Sequence, residues 1–196
     1  MFSSVLEKAV NQWEKADIIK AEDRDVYIYG LDLVLFTIIN LSAVILTAAL
    51  FGRLYETIIL LSVVIPLQSF GGGYHAETHL RCFLIMFIGW FIVMPITAVI
   101  TPAIAIITVC VSLAVIFVLA PVPHINVPMG AERRHKMRII SRVLGSIAVL
   151  LSFVLLRGGS KYSLTGIALA SGIGVIAFSM FCAWLKHRFS KITAKD

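Results

Sequence analysis

From Cys82 to Ala131 the chain runs for fifty residues without one Asp, Glu, Lys or Arg. A straight membrane-crossing helix needs only ~20 apolar residues, so this run is too long for one span. Pro102, near its middle, marks a tight hairpin between two spans. The rest of the chain agrees. Of 196 residues 59% are hydrophobic and 14% charged, more apolar surface than a soluble globule of this length can hide. Apolar stretches lie at about 27–51, 54–70, 82–101, 103–121, 141–156 and 163–185. The second and fifth are short, so their ends are expected to draw on flanking polar residues. The expected fold is all-α, a polytopic membrane protein of six transmembrane helices in a single domain over 1–196, without internal repeats.

The first segment differs. Phe2, Val5, Leu6, Ala9, Val10, Trp13 and Ala16 recur at three- and four-residue steps, with Glu7, Lys8, Asn11, Gln12, Glu14 and Lys15 opposite. This predicts an amphipathic helix in the membrane interface over about 1–22. Its charges leave no uninterrupted apolar core for a removable signal peptide. Six spans place the N-terminal segment, residues 71–82, a basic connection at 122–140 and the C-terminal tail on one side. Of 17 Lys and Arg, only Arg53, Arg157 and Lys161 fall on the other. The positive-inside rule therefore puts both termini on the cytoplasmic side of a cell membrane. The charges flank bilayer spans, which argues against nucleic acid as a partner.

Between the second and third spans lies the one dense cluster of reactive side chains, Gly71-Gly72-Gly73-Tyr74-His75-Ala76-Glu77-Thr78-His79-Leu80-Arg81-Cys82. A thiol and an imidazole seven residues apart suggest a nucleophile with its general base. On one unbroken helix they would lie about 10.5 Å apart along the axis. Proton transfer needs ~3 Å, so cooperation requires a bend between them. Cys82 is then expected near the start of the third span, where a helix N-terminus and Arg81 favour thiolate. Gly72 and Gly73 give backbone freedom around a bound peptide and amides for an oxyanion hole. Glu77 is a nearby acid that can orient the base. Cys110 and Cys182 sit deep in apolar runs and read as packing residues.

Two other arrangements compete. His75, His79 and Cys82 at i, i+4 and i+7 would share one face of a straight helix and make an acceptable catalytic zinc set. That needs the unbroken backbone that the thiol–imidazole pair forbids. A non-enzymatic transporter component is the other, with the glycines breaking a helix in a translocation path. The spans hold few ionisable groups to serve it.

Gly-Gly-Tyr-His-Ala at 72–76, with Arg81-Cys82 opening an apolar span, resembles the accessory gene regulator protein B (AgrB) family. Chain length, amphipathic start, six spans and the Pro/Asn connection at 121–128 are similar too. The resemblance implies a membrane cysteine endopeptidase without cofactor or metal, which processes an AgrD-like quorum-sensing propeptide. It implies His75 and Cys82 as the catalytic pair and Gly73 as a motif glycine, and assigns His79 no catalytic place. Gln68 stands where some members carry a basic residue and is a candidate substrate contact. The implied chemistry is cleavage through a thioester on Cys82, which the propeptide's own cysteine resolves into a thiolactone. Arg133, Arg134, Lys136 and Arg138 can serve orientation and anionic lipid, or capture the acidic propeptide tail. Gly166, Ala170 and Gly174 recur every four residues, a small-residue strip that either forms a homodimer seam on the sixth span or packs against another span of the same chain.

Overall fold

A computed structural model describes residues 3–74, 76, 78–122 and 130–193. Among them the regular elements are helices: α1 (Ser3–Lys15), a 3-10 turn (Ala21–Asp23), α2 (Arg24–Leu50), α3 (Leu54–Gly71), α4 (His79–Val99), α5 (Pro102–Leu119), α6 (Ala131–Arg157) and α7 (Ser160–Thr193). Six of these, α2 to α7, are long and apolar enough to cross a membrane. That is the expected number, in an all-α multi-pass chain. By internal contacts the chain forms two compact units, residues 1–47 and 48–196.

In the first unit α1 is amphipathic but shorter than its pattern suggests. It closes at Lys15 because Asp17 turns into the left-handed region, φ 53, which a short polar side chain tolerates. Arg24, opening α2, fastens it: Nε donates to Asn11 Oδ1 at 3.1 Å and lies 3.7 Å from Glu14 Oε2. Trp13 meets Tyr27 edge-on at 6.5 Å.

The second unit is built around α7, which packs against α3, α5 and α6. Its small residues set how close they come. A Cβ at Gly166 would sit 3.0 Å from the Leu156 amide nitrogen of α6, one at Gly172 3.0 Å from the Leu60 carbonyl of α3, and one at Gly174 3.0 Å from Thr108 of α5. Ser152 also donates to the Gly166 carbonyl at 2.9 Å. The strip expected to join two copies is thus covered by the chain's own helices, and Ala170 is only 1% exposed. Of the two readings, close packing within one chain is the one these contacts support.

The Pro102 hairpin is present. Pro102 opens α5 directly after Thr101, whose hydroxyl accepts from the Ile104 amide. The connection at 122–140 is shorter than expected, because α6 starts at Ala131 and is 27 residues, about 40 Å, long. Its first turns hold good helix formers and an exposed Glu132–Lys136 pair at 2.8 Å. The basic residues therefore stand on a helix rather than in a loop. Deeper in α6, Arg142 Nη2 donates to the Phe117 carbonyl at 2.7 Å. That carbonyl has no partner one turn on, since residue 121 is proline.

Candidate active site

α3 ends at Gly71 and α4 begins at His79, so the cluster read from the sequence is a turn between two helices. Gly72 makes the first break, with φ 74 and ψ −177, a conformation almost confined to glycine. Its N–H donates to the Gln68 carbonyl at 3.1 Å. A Cβ there would lie 2.6 Å from the Val122 carbonyl oxygen, because the chain after α5 crosses directly over this turn. The Val122 amide donates to the Gly71 carbonyl at 3.0 Å.

One face of α7 forms the bed under the turn. A Cβ on Gly71 would overlap Met180, and one on Gly73 would lie 2.9 Å from Ser179 Oγ and 3.7 Å from Ile176. Ser179 Oγ accepts the Tyr74 amide at 2.9 Å. One heptad further along, Lys186 Nζ stands 5.5 Å from the centre of the Tyr74 ring. The glycines therefore have a purpose beyond freedom around a ligand: they let the chain lie against α7 and the 120–122 link.

At the other end of the turn Thr78 is extended, φ −129 and ψ 149, and caps α4. Its hydroxyl accepts from the Arg81 amide at 3.3 Å and its carbonyl from the Cys82 amide at 3.0 Å. Cys82 thus lies in the first turn of α4, half-buried. His79 and Arg81 flank it on the exposed surface. His75 and Glu77, the expected base and its helper, lie outside the described residues.

The backbone bears on the metal alternative. Residues 76 and 78 are not helical, so α4, which carries His79 and Cys82, does not extend back through them. Among the described residues no three His, Cys, Asp or Glu side chains gather as a metal-holding group.

The remaining candidates divide. Gln68 belongs to the turn, through its carbonyl on Gly72 and its side-chain stem 3.7 Å from a Cβ at Gly73. Arg133, Arg134, Lys136 and Arg138 are exposed on the first turns of α6, and Arg134 and Arg138 line a shallow hollow with His135. No described contact joins them to the turn. Sequence reasoning missed Ser179 and Lys186. Their seven-residue spacing on α7 puts them on one face, but a serine in an apolar helix carries no local mark of a loop partner.

A family model, Accessory gene regulator B, matches residues 6–184. The chain belongs to the AgrB family. The match spans nearly the whole chain, the described turn, α4 and the Cys82 position included. It places this AgrB-family protein in accessory gene regulator quorum-sensing signalling, the processing of an AgrD-type peptide at a membrane. Among curated proteins and among solved structures nothing matches the chain.

Proposed function

We propose that this AgrB-family chain is a membrane-embedded cysteine endopeptidase acting on an AgrD-like propeptide, with Cys82 as nucleophile and His75 as general base. The observation that carries the reading is the break between α3 and α4. Residues 76 and 78 are not helical, so the chain before Cys82 is not the one unbroken helix along which seven residues span about 10.5 Å, and the thiol sits in a capped first turn.

In the first half-reaction His75 takes the Cys82 proton and the thiolate adds to a propeptide carbonyl. The carbon–nitrogen bond breaks, the imidazolium returns its proton to the departing amine, and the N-terminal fragment remains as a thioester on Cys82. The propeptide's own cysteine, deprotonated by His75, then attacks that thioester. The new ring thioester forms as the Cys82–acyl bond breaks, and Cys82 recovers the proton. Exchange between thioesters conserves the activated bond that water would destroy, so a site at the membrane edge favours ring closure over hydrolysis.

Each remaining candidate has a part. The Gly73 amide is the oxyanion donor of choice, since the Gly72 amide is bonded to Gln68. Glu77 orients the base, Arg81 supports thiolate, Gln68 contacts the substrate, and the basic start of α6 meets the acidic tail or anionic lipid. Both termini and the site face the cytoplasm. The test is cleavage of a co-expressed AgrD-type propeptide, read by mass spectrometry. Cys82→Ala and Cys82→Ser should insert normally and cleave nothing, while Cys110→Ala and Cys182→Ala cleave close to the parent rate. A cleaving Cys82→Ala chain ends the proposal.

A further inference from the structure

The α7 face beneath the turn points to a residue that the thiol–imidazole chemistry does not name. We propose that Ser179 is a positioning residue of the site: its oxygen fixes the backbone at Gly73–Tyr74 and so sets where the chain enters His75. The inference rests on the His75–Cys82 reading above.

Two observations meet at this one oxygen, and its surroundings supply a third. Ser179 Oγ accepts the Tyr74 N–H at 2.9 Å, in a part-buried bond between residues 105 apart in the chain. The same oxygen would lie 2.9 Å from a Cβ at position 73, so glycine there and serine here fit one another. Its neighbours complete the bed, with Ile176 against Gly73, fully buried Met180 against Gly71, and Lys186 over the Tyr74 ring. Tyr74 is joined to His75 by a single peptide bond, so every rotation about the Tyr74 amide swings residue 75 with it. Without the serine oxygen, that N–H is left in a poorly solvated place and the turn shifts to satisfy it.

A positioning role predicts dependence: Ser179 matters only while His75 is present to be positioned. The probe is iodoacetamide, whose reaction rate with Cys82 at pH 7 reads the thiolate without any propeptide. The parent is full-length protein in membranes carrying Cys110→Ala and Cys182→Ala, so that Cys82 is the sole thiol. His75→Ala should slow alkylation by about tenfold or more. Ser179→Ala should slow it by about tenfold. Ser179→Ala added to His75→Ala should slow it no further.

If the two losses multiply, or Ser179→Ala reacts at the parent rate while His75→Ala is slow, the positioning role is wrong and the peptidase reading stands. If His75→Ala itself reacts at the parent rate, the His–Cys pairing fails first. Should Ser179→Ala not accumulate in membranes, Gly73→Ala puts the same question from the other partner. It must slow alkylation in the parent and leave the His75→Ala rate unchanged, and any other result overturns the proposal.

Discussion

Replacing Gly72 by alanine tests the pinned turn with one methyl group. Alanine there must hold φ 74 and ψ −177, which costs about 1–3 kcal/mol for a residue with a Cβ. The methyl would also lie 2.6 Å from the Val122 carbonyl oxygen, inside van der Waals contact. Moving the 120–122 link away relieves that overlap but breaks the Val122–Gly71 hydrogen bond, worth about 0.5–1.5 kcal/mol. The two together come to about 1.5–4.5 kcal/mol, enough to shift the turn's population by roughly 12- to 1600-fold away from its place on α7. Most of the fold does not depend on this residue, so the variant should insert and melt nearly like the parent while propeptide cleavage falls at least about tenfold. Gly89→Ala is the matched control, since a Cβ there meets nothing within 4 Å. Cleavage by Gly72→Ala within twofold of the parent would refute the argument that this backbone must hold its conformation.

Two further outcomes bear on metal chemistry and on assembly. Iodoacetamide should abolish cleavage, a strong chelator should not, and His79→Ala should cleave far better than His75→Ala; stoichiometric zinc that His79→Ala removes would instead establish the metal set. In a chain without its native cysteines, Ala170→Cys should give no oxidative crosslink between copies, because position 170 is covered by the chain's own helices; crosslinked dimers would return the small-residue strip to a seam between chains.

Much of the architecture was legible because a membrane makes hydropathy and charge decisive. Six spans, the Pro102 hairpin and a bend before Cys82 all come from counting residues against the thickness of a bilayer and the rise of a helix. Boundaries were less legible where polar residues continue a helix beyond the apolar part. Arg133 to Arg138 look like a loop by hydropathy and are helical by propensity. α1 failed in the other direction: an apolar periodicity through Ala16 says nothing of the left-handed turn at Asp17. The strip on α7 shows the deeper limit. Small residues at four-residue spacing announce a close helix contact but not its partner, and here Leu156, Leu60 and Thr108 supply three partners from one chain. Ser179 was invisible for the same reason, since a bond across 105 residues leaves no trace in local pattern.

Non-helical backbone beside a bilayer persists only where its polar groups are satisfied within the protein or by water. Several described groups of the turn meet that condition by borrowing from neighbouring elements. Gly71 takes the Val122 amide, Gly72 gives to Gln68, Tyr74 gives to Ser179, and Thr78 serves Arg81 and Cys82. Arg142 of α6 satisfies the Phe117 carbonyl just before the 120–122 link, so α6 also helps hold the strand of chain that crosses Gly72. The nucleophile is held differently. The Trp90 indole donates to Thr57 of α3 at 2.9 Å and Met94 lies beside the same hydroxyl, about 12 Å or more along α4 from Cys82. Under the proposed chemistry, then, the base follows directly on Tyr74, whose amide is held by α7, and the thiol is on a helix whose described hydrogen-bonded anchor to α3 lies more than two turns away. If that chemistry holds, Gly72 and Ser179 act on the reaction through the backbone they fix rather than by touching the substrate.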